Sequence, residues 1–450
     1  MSSSPQYPPL PPGFRLGTST GAYQVEGAVA EDGRGPSIWD TYSHQAGSIV
    51  DGTTGDVAAD HYHHVEEDLD LMKRLGAGGY RFSVAWPRVQ PKGSGAVNAA
   101  GLDFYDRLVD GLLDRDIAPM ATLFHGDLPQ ALEDDGGWLN RATPDRFAEY
   151  AAIVGERLAD RVEHWIPVNE PNVVSLGGYG IGIHPPGRRL LFDALWAAHH
   201  VLIGHGRAVM ALRAAGAMSV GCANNHAPMW PGSDDPADVG ATKLFDAVWN
   251  GFYLESMLLG RYPADLQPLL EDVVAPGDLA TIRQPLDFYG VNYYSPLRVG
   301  AASDDADMPF EFLDVVGYPI TDAGWAVVPD ALREWLITCR ARFRAALPPI
   351  VITECGYADE VGPDATGLID DHQRIDYLAA HLRAVSEAAQ RGVDIRGFYA
   401  WSLLDSFEGA RGLRARYGLI HVDHETQKRT PKRSFEWYAG LIAAQMPSLG

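Results

Sequence analysis

Eight short apolar runs, separated by helix-length amphipathic segments, set the strongest limit on what this chain can fold into. A run rich in β-branched and aromatic residues, without polar alternation, suits a strand buried on both faces. Such strands belong to parallel sheets covered by helices. The runs lie near residues 14–18, 80–84 and 118–124, in the segment that leads to Glu170, near 219–223 and 287–291, in the segment that leads to Glu354, and near 396–400. Helical periodicity marks 65–75, 102–113, 144–158, 194–215 and 372–389 between them. No linker, repeat or change of composition divides the chain. The pattern therefore predicts an α/β fold, a single (β/α)8 TIM barrel over residues 14–450. Residues 1–13 hold five prolines and read as an extended arm, laid over the barrel or left loose.

Two of the runs end in a carboxylate. Ile350-Val351-Ile352-Thr353 leads into Glu354 and then Gly356, and Trp165-Ile166-Pro167-Val168 leads into Asn169 and Glu170. An ionisable group where a buried strand stops is costly unless it is paired or functional. Either glutamate alone could simply pair with an arginine. Two of them, each at the C-terminal end of a barrel strand, suggest a catalytic carboxylate pair at the barrel mouth. The neighbours agree. Polar and aromatic residues follow every strand: Tyr23-Gln24, Trp86, His125, Asn224-Asn225-His226, Asn292-Tyr293-Tyr294, and Trp401 with Glu408. A barrel without a ligand has no reason to gather them at one end.

Composition narrows the partners. A formal net charge of −23 repels nucleic acid and anionic membranes and disfavours polyanionic substrates, so a small neutral substrate fits better. The same acidity also serves as a solubility trait. No run of about 18 apolar residues is present to span a bilayer, and residues 1–13 lack the charged and apolar regions of a secretory signal. Cys222, Cys339 and Cys355 are odd in number and widely spaced. They give neither a disulfide framework nor a zinc pattern, which points to the cytoplasm.

On these motifs the chain resembles the family 1 glycoside hydrolases, the β-glucosidase-like (β/α)8 barrels. The matching segments run in order: Gln24-Val25-Glu26-Gly27, Asp60-His61-Tyr62-His63-His64, Tyr80-Arg81-Phe82-Ser83, Asn169-Glu170-Pro171, Asn292-Tyr293-Tyr294 and Ile352-Thr353-Glu354. The resemblance implies a cofactor-free, metal-free retaining exo-β-glycosidase working by double displacement on a small neutral β-glycoside. It implies Glu354 as nucleophile and Glu170 as general acid and then base, with their carboxyls about 5–5.5 Å apart. Arg81 and Tyr294 are the expected partners of Glu354, and Asn169 the contact to the sugar 2-hydroxyl. Gln24, His125 and Glu408 are expected to hold the glycone, and Trp401 to stack on it. The oligomeric state is expected to be monomer or homodimer.

The chain departs from the family pattern at Gly126 and Gly409, where tryptophans usually stand, and at Cys355, usually asparagine. Two glycines would open space around the sugar's 3- and 4-positions. The alternative reading is therefore a specialised glycosidase or transglycosylase acting on a modified, deoxy or substituted sugar of a natural product. A non-catalytic sugar-binding relative would be expected to lose a glutamate, and both are present. His61, His63, His64 and Glu67 resemble a metal cluster by composition, but on a helix they spread around its surface. Cys355 should point away from Glu354 along the strand.

Overall fold

The computed structural model describes residues 7–445. Eight parallel strands form the barrel: β1 (Arg15–Ser19), β2 (Gly79–Ser83), β3 (Ala118–Phe124), β4 (His164–Val168), β5 (Gly221–Asn225), β6 (Phe288–Asn292), β7 (Ile350–Cys355) and β8 (Ile395–Trp401). Their hydrogen-bonded order is β4-β3-β2-β1-β8-β7-β6-β5. Parallel bridges from Trp165 to Val220 and from Asn169 to Ala223 join β4 to β5 and close the ring.

The principal outer helices are α1 (His61–Leu75), α2 (Ala99–Leu113), α3 (Thr143–Leu158), α4 (Ala194–Ala214), α5 (Phe252–Leu259), α6 (Pro329–Phe343), α7 (His372–Gln390) and α8 (Arg433–Gln445). The alternation of strand and helix patterns is thus realised as one barrel. Where helix gives way to strand the chain must turn sharply. After α1 it does so at Gly76, whose φ of +75° a side-chain-bearing residue adopts only with strain.

The core has two layers, as strands buried on both faces require. Met120, Ile166, Phe288, Val351 and Tyr399 pack inside the barrel. A much larger cluster, including Ile350, Ile352, Phe398, Leu382 and Leu441, fills the space between strands and helices.

One irregularity matters for function. Along β7, Val351 faces the barrel interior while Ile350 and Ile352 face the helices. Strict alternation would send Glu354 outward with Ile352. The register of β7 shifts between Ile352 and Glu354 against β6, and between Ile352 and Cys355 against β8. Such a bulge re-aims a side chain. Glu354 turns into the mouth of the barrel, and Cys355 returns to the outer core beside the Tyr377 hydroxyl, 3.4 Å away.

Some boundaries differ from the sequence pattern. The strand expected at 219–223 runs two residues later and includes Asn224 and Asn225. Asparagine is a weak strand former, but tertiary hydrogen bonds to Tyr289 and Glu170 hold these two in the ladder. Helix α1 begins at His61 rather than 65, because its polar first turn hides the apolar period. The arm's residues 1–6 lie outside the described residues. Tyr7 packs against Trp437 of α8 at 5.9 Å, and the Ser386 hydroxyl of α7 donates to the Pro9 carbonyl.

Candidate active site

The loops that leave the C-terminal ends of the strands enclose a cleft. Glu354 and Glu170 lie on its floor with Gln24, His125, Asn169, Tyr294, Trp401 and Glu408 around them. The order of contacts begins with Arg81, in the middle of β2 and fully buried. Its Nη1 donates to Glu354 Oε1 at 2.5 Å and its Nη2 to Asn169 Oδ1 at 2.5 Å, while Nε reaches the Thr122 hydroxyl at 3.2 Å. A buried guanidinium needs such partners to offset its lost hydration. The Tyr294 hydroxyl donates to Glu354 Oε2 at 2.7 Å. Burial and the adjacent Glu354 charge push the Tyr294 phenol well above its ordinary range, so it remains a donor. Both Glu354 oxygens are thereby fixed.

Glu170 is held differently. Its φ is +46°, a left-handed conformation that costs a non-glycine residue about 1–3 kcal/mol. Strain of this size persists where surrounding contacts demand it. Here the Glu170 N–H donates to Ala223 O at 2.7 Å. Glu170 Oε1 accepts from Asn225 Nδ2 and Asn292 Nδ2, both at 2.9 Å. Burial raises the Glu170 carboxyl to about 7, and the negative Glu354 adds to the rise. The two asparagine hydrogen bonds and Arg81 oppose it.

The remaining wall forms one connected array. Asn169 Nδ2 lies 3.3 Å from His125 Nε2, which the amide donor places as an acceptor. Burial and the Arg81 charge hold His125 well below its ordinary value, so its ring is neutral. His125 stacks on Trp401 at 5.7 Å with planes 13° apart. Glu408 accepts from the Ser406 hydroxyl at 2.8 Å, from Gln24 Nε2 at 3.2 Å and from Trp401 Nε1 at 3.4 Å. Burial pushes the Glu408 carboxyl up to about 8. The array can therefore offer a polyhydroxylated ring amide, imidazole, indole and carboxyl groups, beside one fixed carboxylate and one carboxyl that titrates near neutrality.

The family model for glycosyl hydrolase family 1 matches residues 6–446. The chain belongs to glycosyl hydrolase family 1. It is 42% identical to β-glucosidase A of Acetivibrio thermocellus over 96% of this chain and 98% of that one. It is 43% identical to a bifunctional β-D-glucosidase/β-D-fucosidase of Bifidobacterium breve, over 96% of this chain and 98% of that protein. The structure of the family 1 β-glucosidase from Thermotoga maritima superposes with a TM-score of 0.93 at 38% identity, covering 98% of this chain and 99% of that one.

In this glycoside hydrolase every site residue expected from sequence lies in one place. Gln24, His125, Asn169, Glu170, Tyr294, Glu354, Trp401 and Glu408 line the cleft, and Arg81 lies beneath it. The sequence reading placed Asn225 and Asn292 at the barrel mouth but gave them no role, and they clamp Glu170. Their position at the ends of β5 and β6 was the available signal. It missed Trp39, His184 and Trp325, which a short helix, Ile38–Ser43, and two loops bring to the cleft from far along the chain. Gly126 and Gly409 line the same cleft at φ of +76° and +53°. A Cβ at Gly126 would meet only Val174, at 3.8 Å, and one at Gly409 would meet Trp39 and His184 at 3.7 Å.

The histidines that resemble a metal cluster are each committed elsewhere. His61 Nδ1 pairs with the buried Asp68 at 2.7 Å, His63 Nδ1 with Asp60 at 2.6 Å, and His64 Nδ1 with the Asp60 carbonyl at 3.0 Å. Burial raises the Cys355 thiol to about 12, which leaves it protonated and unreactive. Among the described residues no helix is long and apolar enough to cross a membrane.

Proposed function

We propose that this family 1 glycoside hydrolase is a retaining exo-β-glucosidase, cleaving small neutral β-glucosides by double displacement. The observation that carries the reading is the contrast between its two glutamates. Glu354 has both oxygens fixed by Arg81 and Tyr294, which aims it as the nucleophile at the anomeric carbon. Glu170, raised to about 7 by burial and the Glu354 charge, carries the proton that the departing oxygen needs. Once Glu354 is esterified its charge is gone, Glu170 becomes more acidic, and it accepts a proton from the attacking water. Atoms balance over the two steps: the C1–O bond to the aglycone breaks as C1–O(Glu354) forms, and water then restores the carboxylate and releases the sugar.

Asn169 would meet the 2-hydroxyl, with its amide oriented by Arg81, Asn292 and His125. Gln24, His125 and Glu408 would hold the outer hydroxyls, and Trp401 would face the ring. Glucose as the glycone follows from the chain's similarity, at 42–43% identity, to β-glucosidases. The fully buried Cys222 and the buried Cys339 and Cys355, all free thiols, support a cytoplasmic location.

Product stereochemistry tests the mechanism. Proton NMR of a nitrophenyl β-glucoside reaction should record β-glucose as the first-formed anomer, before mutarotation. First-formed α-glucose would refute double displacement, and no turnover of the glucoside would refute the glycone.

A further inference from the structure

A second, shallower groove lies on the same side of the barrel, and none of its lining residues lines the catalytic cleft. Trp230, Tyr318 and Trp335 supply three aromatic rings to it, and Asp330, Glu334 and Thr338 supply polar edges. The half-buried Trp335 lies nearly flat on His226, with ring centres 4.5 Å apart and planes 26° apart. His226 in turn stacks on Tyr289 at 5.8 Å, and its ring nitrogens are engaged by Asn250 and Tyr289. Burial holds the His226 imidazole down at about 4, so the backing stack is uncharged. Trp230 and Tyr318 sit 5.9 Å apart at 43°, with Tyr318 43% exposed. The platform is thus pre-formed on the Trp335 side and open to solvent on the other.

The polar edges are acceptors with capacity to spare. Arg333 binds Asp330 Oδ1 and Glu334 Oε1, each at 2.9 Å, and Arg391 lies 3.6 Å from the same Glu334 oxygen. Asp330 Oδ2 and Glu334 Oε2 carry no bond among the described residues. Flat aromatic faces beside free carboxylate oxygens complement a neutral pyranose, whose C–H faces stack and whose hydroxyls donate. An anionic ligand would meet two carboxylates on a chain of net charge −23. The groove is also tied to the cleft. A hairpin closed by the Ile320–Ala326 bridge and the Val327 N–H to Pro319 O bond at 2.8 Å carries Tyr318 at its base and Trp325 near its tip. One ring faces the groove and the other the cleft.

We propose that this groove is a second, non-catalytic carbohydrate-binding site for a neutral pyranose chain. The inference stands on the groove itself and holds whichever glycone the cleft accepts. Thio-linked cellotetraose, which resists cleavage, is the probe, titrated calorimetrically into the full-length wild-type protein. Trp230→Ala and Tyr318→Ala should each weaken one class of binding by at least about tenfold. Trp325→Ala should leave that class intact. Turnover of nitrophenyl β-glucoside should be unchanged in Trp230→Ala and Tyr318→Ala, which establishes that both fold and reports on the cleft separately. Binding that is insensitive to both substitutions, or that is lost with Trp325 alone, would overturn the proposal.

Discussion

Asn292 offers the sharpest test of how the site tunes its acid. Its Nδ2 donates to Glu170 Oε1 at 2.9 Å and to Asn169 Oδ1 at 3.0 Å, and its Oδ1 accepts from the Thr353 hydroxyl at 2.6 Å. A donor to a carboxylate favours the ionised form. Glu170, held at about 7, must be protonated in the first step, so kcat/KM falls as pH rises through that value. Asn292→Ala removes one of the two asparagine donors and so raises the Glu170 value further. A hydrogen bond to a charged group contributes about 1.5–3 kcal/mol, and 1.36 kcal/mol corresponds to one pH unit. Water entering the space returns part of this, which leaves a displacement of about one unit. The basic limb of kcat/KM for an aryl β-glucoside should move upward by about that amount. Deglycosylation should slow at neutral pH, because Glu170 is then less often ionised to act as base. Asn225→Ala should act in the same direction, through its own 2.9 Å bond. A basic limb that stays in place or moves downward in both variants would refute the assignment of Glu170 as the titrating acid.

Two further outcomes follow from the same contacts. Arg81→Met leaves Glu354 buried without its cation and frees Asn169, so turnover of any β-glucoside should fall by at least about 100-fold. The chemical-denaturation midpoint should drop by the equivalent of about 3–5 kcal/mol, and a variant as stable as wild type would show that Arg81 bears no such load. Glu408 has a folded value of about 8 against an ordinary 4.5. Its raised value means that folding opposes its ionisation, so its contribution to stability is present below about 4.5 and is lost progressively as pH rises towards about 8. Glu408→Gln should therefore flatten the decline of Tm across that window while raising KM; a parallel decline in both proteins would contradict it.

The barrel was legible because its information is local. Eight two-face-buried strands and the intervening helical periods are written residue by residue, and only one closed architecture accommodates them. Glu170 and Glu354 were legible for a related reason, since an ionisable group at the end of a buried strand stands out by its cost alone. Tertiary structure decided how those glutamates work. Period-two alternation would have aimed Glu354 at the helices, and the bulge after Ile352 turns it inward. Asn225 and Asn292 stand out in the sequence only as polar residues at strand ends; they become clamps on Glu170 because the closed ring sets β5 beside β4 and β6 next along. His184 and Trp325 reach the cleft on loops and Trp39 on a short helix, Ile38–Ser43, along paths that no periodicity encodes; Trp335 of α6, Trp230 and Tyr318 likewise meet in the second groove only through the tertiary fold. Each carboxyl's proton affinity depends on burial and on charges distant in sequence. The chain's local patterns therefore determined the scaffold and the reacting pair, and folding alone determined the orientation, the protonation and the walls of the site.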